Sequence, residues 1–303
     1  DLDEKRVAII IGPIATSEAA ARESQKRSIP IITLTQKPGI AEIGDYVFRN
    51  FLTPEMQIEA IVPFAIEKLG IERFAILYPD ENYGHTFMKM FRDKVLNYGA
   101  EITGIEPYDP DQTDFAGPIS KLANIKLKDW KSKSRNRKHK RFEVVVDFDA
   151  IFIPDSPKKT GMIAPQLAFY DVDDVLLLGT NLWHSNDLIK EAGKYVQFAL
   201  MADGYFADTS KKAVNDFIMA FTEQYGEPPG IIEAFAYDTA MMAFQTADNS
   251  AIRSRQDLKN GLKNFYNYDG VTGMTSFSEN GEANKKLYLL QIDGDKFVEL
   301  NSY

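Results

Sequence analysis

The feature that most constrains the fold is an alternation of short apolar runs with polar turns and helix-like segments over Val7–Tyr78. The segment opens with VAIIIGPIATSEAAARESQKRSIPIITLTQKPGI and closes with RFAILY, and each apolar run is unbroken and rich in Ile and Val. Such runs are typical of strands buried on both faces of a parallel sheet. Small, hydroxyl, Gly and Pro residues follow the runs, at the strand ends where open α/β sheets bind ligands. The pattern therefore favours a ligand-binding α/β protein.

The alternation continues along the whole chain and predicts an α/β class with parallel sheets. Strands are expected at Val7–Gly12, Pro30–Thr35, Tyr46–Phe51, Arg73–Tyr78, Glu101–Tyr108, Ala150–Pro154, Val175–Gly179 and Phe198–Phe206. Helices are expected at Ser17–Arg27, Pro54–Leu69, Tyr83–Tyr98, Phe115–Ala123, Lys159–Tyr170, Asn186–Glu191, Ser210–Tyr225, Ile231–Ala247 and Ser254–Asn264. The tail NKKLYLLQIDGDKFVEL predicts two strands around the hairpin Asp293-Gly294-Asp295. These strands are too many for one sheet with a single switch point, so two lobes are expected.

The composition is that of an ordinary folded protein, with 303 residues, 44% apolar and 26% charged. The absence of cysteine excludes disulfides, thiolate metal sites and cysteine catalysis. It fits an oxidising compartment such as the periplasm, although chance or a reducing cytoplasm explains it nearly as well. No stretch approaches the ~18 consecutive apolar residues of a membrane span.

Charge is distributed unevenly along the chain. Lys126–Arg141 carries nine Lys and Arg residues against one acid, Asp129, so the segment is +8 and the remainder of a chain with net charge -9 is -17. Such a tract binds a polyanion, or it is a solvated, mobile insertion between a helix and a strand. We favour the insertion, because blocks of like charge usually stay disordered. Its lone aromatic residue, Trp130, is too little for a nucleic-acid stacking platform, and no nucleic-acid partner is expected.

The usual catalytic signatures are absent from the sequence. It contains no G-x-G-x-x-G, G-x-x-x-x-G-K-[ST], G-x-S-x-G or H-E-x-x-H motif, and its three histidines are far apart. Asp147, Asp149 and Asp155 flank a predicted buried strand, so a catalytic carboxylate pair is conceivable. Strand-end solvation or ligand contact suits their positions better. We predict no catalysis, no cofactor and no metal. The alternative is an enzyme in which Asp155 is the catalytic carboxylate.

Several segments carry a resemblance to a known family. GPIATSEA, IPIITLTQKPGIAEIGDYVFRNFLTPEMQ and FAILYPDENYG resemble the leucine/isoleucine/valine-binding proteins, which are type I periplasmic binding proteins that capture substrates for ABC importers. DQTDFAGPISKLA and VTGMTSFSENGEANKKLYLLQIDGDKFVEL extend the resemblance over nearly the whole chain, with the basic insert 125–142 as an addition. FDAIFIPDSPKKTGMIAPQLAFYDV and LLLGTNLWHS are more similar to a subset that includes relatives of the lipoprotein activators of penicillin-binding proteins.

The resemblance implies a two-lobed fold, with each lobe a mostly parallel sheet flanked by helices. The expected lobes are lobe 1 at 1–51 and 207–270, and lobe 2 at 52–206 and 271–303. The three expected crossovers lie near Phe51–Pro54, Phe206–Thr209 and Gly270–Gly273. The family's first lobe begins with two strands that this chain lacks, which agrees with the unbroken apolar run Val7–Ile11. We favour truncation or processing over an edge strand, and a lipid anchor would belong to that missing N-terminal region.

The resemblance also implies which residues contact a ligand in the interlobe cleft. Thr16 and Ser17 open a helix, where free N–H groups and hydroxyls suit a carboxylate. In the family this turn holds an amino acid's carboxylate with help from the next turn, which here is Thr35, Gln36 and Lys37. Lys37 would add a positive charge. Helix capping or surface solvation are the alternative roles of these residues.

On the second lobe, Tyr83 resembles a family tyrosine that closes over the ligand. The family acids that hold the ligand ammonium correspond to Pro54 and Asn181, so Asp155 would have to substitute for them. An ordinary α-amino acid is therefore disfavoured. Asn181 and Trp183 indicate a polar rim with an aromatic wall, which fits a sugar-like, peptide-like or aromatic ligand. Trp183 serves equally well as a packing residue.

The expected function is that of a non-catalytic, periplasmic or extracytoplasmic receptor. It would capture a small polar ligand, amino acid-like or related, by hinge closure and deliver it to the permease of an ABC importer. The alternative is a penicillin-binding protein activator-like interaction module that regulates a cell-wall synthase.

Overall fold

Short apolar strands alternate with helices along the chain, as the sequence pattern predicts. The computed structural model describes residues 7–124, 126–127 and 142–300, so the basic insert 125–142 lies almost entirely outside the described residues. The strands are β1 Ile10–Ile11, β2 Ile31–Thr33, β3 Val47–Arg49, β4 Arg73–Pro79, β5 Glu101–Tyr108, β6 Lys126–Leu127, β7 Phe142–Glu143, β8 Ala150–Phe152, β9 Leu176–Leu178, β10 Leu200–Asp203, β11 Tyr268–Gly270, β12 Gly273–Phe277, β13 Ala283–Lys286, β14 Tyr288–Asp293 and β15 Lys296–Glu299. The α-helices are α1 Ser17–Lys26, α2 Pro54–Pro63, α3 Asn82–Asn97, α4 Ala116–Leu122, α5 Pro157–Phe169, α6 Asn186–Ala192, α7 Lys212–Tyr225, α8 Ile231–Asp248 and α9 Arg255–Lys263.

The chain forms two compact units. The first contains the described residues up to Met56 together with Gly204–Tyr288, and the second contains Gln57–Asp203 together with the described residues from Leu289 onward. The chain therefore changes unit after Met56, Asp203 and Tyr288, whereas the sequence analysis placed these changes after residues 51, 206 and 270. The largest difference has a local reason. Gly270 and Gly273 form a tight hairpin between β11 and β12, and both strands stay in the first unit.

A mostly parallel sheet is the centre of the second unit. In the described residues its strand order is β15-β14-β10-β9-β8-β4-β5, and the pairs from β10 to β5 are parallel. Phe74–Leu77 in β4 are completely buried, which explains the unbroken apolar run. The predicted tail hairpin is confirmed, since Asp293 pairs with Lys296 in antiparallel register. The α/β class predicted from the sequence is confirmed.

The first unit contains two small sheets in its described residues. β1, β2 and β3 form a parallel sheet, and β11, β12 and β13 form an antiparallel one. The sequence pattern did not predict the antiparallel sheet, because NKKLYLLQID has the pattern of a single strand. In the structure this segment breaks at Leu287, since β13 pairs with β12 and β14 joins the sheet of the second unit. Gly273 has φ +89° and approaches Lys286 O so closely that a Cβ atom would lie 2.2 Å from it.

Among the predicted elements whose bounds differ in the structure, two show a local cause. The helix predicted at Pro54–Leu69 contains Pro63, and its last turn, Phe64–Lys68, is a π-helix. Proline lacks the N–H of a regular turn, and such turns mark local departures from the α-helical ladder. The strand predicted at Phe198–Phe206 shortens to β10, because Phe198 has φ +64° and is 61% exposed. Within the described residues, no helix combines the length and apolarity that crossing a membrane requires.

Candidate functional site

Parallel strands of the second unit bring several predicted site residues to one sheet edge. β4, β8 and β9 are neighbours, so their carboxyl ends lie side by side. Asp155 follows β8, Asn181 follows β9, and Tyr83 lies in the first turn of α3, which follows β4. This is the edge at which open α/β sheets bind ligands. The structure therefore brings these three residues together at one sheet edge, and their contact with a ligand stays a prediction.

The Asp155 carboxylate is half-buried and hydrogen-bonded. Tyr108 Oη donates to its Oδ2 at 2.5 Å, and the Ser156 N–H donates to its Oδ1 at 2.5 Å. Burial, with the neighbouring Asp155 charge, raises the pKa of Tyr108 well above its usual value, so Tyr108 remains a donor. Among the described residues no lysine, arginine or histidine forms an ion pair with Asp155. Its negative charge is thus stabilised by neutral donors and remains available to a further donor.

Tyr83 and Asn181 are fixed by polar neighbours on the same edge. Tyr83 Oη lies 3.0 Å from Thr180 Oγ1, and its ring lies 4.8 Å from that of Phe87. Burial raises the pKa of Tyr83 to about 12, so its hydroxyl is neutral at physiological pH. The Asn181 N–H donates to Gln57 Oε1 at 2.8 Å, which leaves the half-buried amide of its side chain at the edge.

Trp183 lies inside the second unit and is fully buried. A Cβ atom on Gly179 would lie 2.0 Å from the indole Cδ2, so the ring packs directly on the glycine backbone. Its Nε1–H donates to the main-chain oxygen of Asp155 at 3.1 Å. The expectation that Trp183 forms an aromatic wall of the ligand site is therefore corrected. Trp183 has no exposed surface in the structure, and it acts as a packing residue that holds Asp155 in place.

The predicted turns of the first unit also meet at one sheet edge. Thr16 is exposed and precedes α1, but its side chain makes no capping hydrogen bond, and Ser17 is buried. Thr35 is buried, and its Oγ1 accepts a hydrogen bond from the Lys37 N–H at 3.3 Å. The first N–H groups of α1 thus have no side-chain partner from Thr16, which leaves them open to an anionic group.

The positive charge that Lys37 adds to this turn is paired in the structure. Its ammonium donates to the carboxylate of Glu18 on α1, and this hydrogen bond lowers the pKa of Glu18. The turn itself is held by Arg49, whose Nη1 donates to the main-chain oxygens of Gln36 at 3.2 Å and of Lys37 at 2.7 Å. Arg49 Nε in turn pairs with Glu282 Oε2 at 2.6 Å. The edge of the first unit is therefore close to neutral.

The residues that support both edges were not predicted from the sequence. They are Gln57, Tyr108 and Thr180 in the second unit, and Glu18, Arg49 and Glu282 in the first. Tyr108 alone had a usable signal, because it ends a predicted strand and so belongs to the ligand edge once the order of the strands is known. The nine predicted site residues fall into two groups: Tyr83, Asp155, Asn181 and Trp183 on the second unit, and Thr16, Ser17, Thr35, Gln36 and Lys37 on the first.

Asp147 and Asp149, the other acids considered for a catalytic carboxylate pair, both form ion pairs with Arg73. Asp147 Oδ1 and Asp149 Oδ1 accept from Arg73 at 2.6 and 2.8 Å, and the hydrogen bond from Arg73 lowers the pKa of Asp149. Asp149 precedes β8 whereas Asp155 follows it, so the two carboxylates are at opposite ends of the strand. In the ranges that the structure describes, no three His, Asp or Glu residues converge as metal ligands.

We expect Tyr108→Phe to lower the free energy of unfolding by about 1–3 kcal/mol, because it removes a donor from a half-buried carboxylate. Chemical denaturation of the variant and the parent measures this difference. Tyr195→Phe is the control, since Tyr195 is 39% exposed, and it should change stability by less than about 0.5 kcal/mol. Equal stabilities of the Tyr108 variant and the parent would contradict the assigned hydrogen bond.

Comparison with known proteins relates this arrangement to one family. A family model described as periplasmic binding protein matches residues 2–296. No curated protein sequence matches the chain at a significant level.

Solved structures share the fold over almost the whole chain. An ABC transporter substrate-binding protein from Sphaerobacter thermophilus is 19% identical, with a TM-score of 0.73, and covers 99% of this chain and 80% of its own. The branched-chain amino acid transporter substrate-binding protein LivJ from Streptococcus pneumoniae, in complex with isoleucine, is 23% identical, with a TM-score of 0.65 and coverages of 99% and 81%. A solute-binding protein of an ABC transporter from Rhodopseudomonas palustris, in complex with 3,4-dihydroxybenzoic acid, is 20% identical, with a TM-score of 0.66 and coverages of 99% and 79%.

Proposed function

We infer that this chain, which belongs to the periplasmic binding protein family, is an extracytoplasmic receptor that captures a small polar solute for an ABC importer. The match to the family and the structural likeness to substrate-binding proteins confirm the resemblance seen in the sequence. The observation that carries the proposal is the convergence of Tyr83, Asp155 and Asn181 on the carboxyl edge of the parallel sheet in the second unit. The proposed receptor carries out no catalysis.

Each sheet edge, taken by itself, suits one kind of chemical group on a solute. The N–H groups that open α1 suit a carboxylate, because they have no capping partner from Thr16. Asp155 suits an ammonium or hydroxyl group, because its charge has no cationic partner among the described residues. The isoleucine and dihydroxybenzoate seen with two structural relatives both contain a carboxylate and a donor group. We propose an amino acid-like or hydroxylated acid as the solute class.

A binding screen tests the proposal. We would record native mass spectra of gently purified protein, and then thermal shifts with isoleucine, leucine, benzoate and 3,4-dihydroxybenzoate. A solute at 100 times its Kd should raise the free energy of unfolding by about 2.7 kcal/mol. The hinge closure expected from the resemblance would appear as a smaller radius of gyration with the bound solute. Native mass spectra that show only the unliganded protein, together with no thermal shift from any of these acids, would contradict the proposed receptor function.

Tyr83→Ala should weaken binding of the solute found in that screen by at least about tenfold, which corresponds to one lost contact of 1.4 kcal/mol. Isothermal titration measures the Kd of the variant and the parent. Tyr98→Ala is the matched control, because Tyr98 follows the other end of the same helix, α3, and is 39% exposed. An equal loss of affinity in both variants would show that Tyr83 has no specific role.

The alternative, an activator-like module that regulates a cell-wall synthase, receives no support from the relatives described above, which are solute-binding proteins of ABC transporters. Muropeptides belong in the same screen as a comparison. Binding of a muropeptide without binding of any small acid would favour the alternative.

A further inference from the structure

Lys285 is a lysine whose ammonium group is placed among neutral groups of the first unit. Its Nζ donates to Asn50 Oδ1 at 3.2 Å and to Thr275 Oγ1 at 2.5 Å. Nζ also lies 4.9 Å from the centroid of the Phe235 ring. Asn50, Thr275 and Phe235 are completely buried. The positive charge therefore has hydrogen-bond acceptors and an aromatic face around it, but no carboxylate of the described residues forms an ion pair with it.

The elements packed against Lys285 are the end of β3, β12 and α8, and the acid that faces it from them is Asp238 of α8. The oxygens of Asp238 are committed to other donors. Oδ1 accepts from the Val271 N–H at 2.9 Å, and Oδ2 accepts from the Thr272 N–H at 2.8 Å and from Thr272 Oγ1 at 2.5 Å. Tyr268 Oη lies 3.4 Å from Oδ1, and burial raises the pKa of Tyr268, so this group stays neutral.

The neighbouring charged residues Arg49 and Glu282 pair with each other, with Arg49 Nε 2.6 Å from Glu282 Oε2. Burial lowers the pKa of Lys285 to about 7, and the charge of Asp238 opposes this shift only in part. Proton uptake by Lys285 thus falls in the physiological range, where the ammonium costs more inside the protein than in water.

The same cluster lies close to the three points at which the chain passes from one unit to the other. The ring of Phe235 is 4.9 Å from that of Phe51, shortly before the change after Met56. A Cβ atom on Gly204, the first residue after the second change, would lie 2.8 Å from the Phe235 ring. Lys285 itself lies in β13, just before the third change after Tyr288. One cluster thus lies close to the chain at all three changes, and we call it the anchor of the first unit.

We propose that Lys285 is a proton-operated switch on this anchor. When Lys285 is neutral, its amine holds Asn50 and Thr275 against Phe235. When it takes up a proton from solvent, hydration of the ammonium favours opening of the cluster, which loosens the backbone near Asn50 and along β12 and β13. The switch acts without solute, so its test is independent of the test of the proposed receptor function.

Hydrogen exchange followed by mass spectrometry between pH 6 and pH 9, corrected for intrinsic exchange rates, tests the switch. The peptides of interest contain the Asn50 N–H, which donates to Thr33 O at 3.0 Å, and the ladder between β12 and β13. In the parent protein their protection factors should fall about tenfold per pH unit between pH 9 and pH 7, because the open state binds one more proton. Below pH 7 the protection should level off.

Three variants complete the test. Lys285→Met, which stays neutral, should give protection that does not depend on pH, and Lys285→Arg, which stays charged, should give low protection throughout. Lys286→Met is the matched control, because Lys286 is exposed and next in the same strand, and it should reproduce the parent profile. Flat protection in the parent, or an unchanged slope in Lys285→Met, overturns the switch. If a Lys285 variant fails to fold, the parent and Lys286→Met profiles still decide, since the proposal requires the slope in both.

Discussion

Asp238→Ala is expected to lower the free energy of unfolding by about 3–5 kcal/mol. Asp238 is completely buried and accepts hydrogen bonds from the Val271 N–H and from both the N–H and the hydroxyl of Thr272. Alanine removes the acceptor and leaves these donors buried, and each unsatisfied buried donor costs about 1–3 kcal/mol. The loss should be concentrated in the hairpin between β11 and β12, because Asp238 joins α8 to the residues that connect these strands.

Urea denaturation of Asp238→Ala and the parent measures the loss, and hydrogen exchange of 268–277 locates it. Asp269→Asn is the matched control in the same hairpin, since Asp269 is 60% exposed and pairs with Lys211 at the surface. A surface pair of this kind contributes at most about 1 kcal/mol. A similar small effect in both variants would contradict the role assigned to the buried carboxylate.

The parallel strands could be predicted from the sequence because burial on both faces leaves an unbroken apolar run. β4 is the clearest case, because all of its residues after Arg73 are buried. β5 lies at the edge of the sheet and is mostly half-buried, yet its predicted bounds, Glu101–Tyr108, are those observed. The antiparallel sheet of the first unit gave no such signal. β13 consists of Ala283–Lys286, with the sequence ANKK, so its identity as a strand depends on pairing with β12 and not on its own residues.

The candidate site was predictable only as far as strand ends are predictable. Asp155 and Asn181 follow apolar runs, so they could be placed at the sheet edge without knowledge of the packing. The partner of Lys37 could not be predicted, because Glu18 lies 19 residues away and meets it only when α1 packs beside β2. The burial of Trp183 could not be predicted either, because it depends on the close packing of its ring against Gly179.

Trp183→Ala is the second change from which we expect a large effect, a loss of about 3–5 kcal/mol in the free energy of unfolding. The indole is among the largest completely buried side chains of the protein, and its removal leaves a cavity that the surrounding strands cannot fill. The variant also removes the hydrogen bond from Nε1 to the main-chain oxygen of Asp155. We therefore expect solute affinity to fall together with stability, because the carboxylate at the sheet edge loses the group that positions it.

Trp183→Phe separates the two consequences of this change. Phenylalanine restores most of the buried volume but cannot donate to Asp155, so its stability should lie closer to the parent while its affinity for the solute stays reduced. Phe169→Ala is the control for aromatic truncation in the same unit, because Phe169 is 69% exposed, and it should cost less than about 1 kcal/mol. Denaturation curves and titration calorimetry give both quantities. If Trp183→Phe bound solute as tightly as the parent, the indole would have only a packing role, and Asp155 would be positioned by Tyr108 and Ser156 alone.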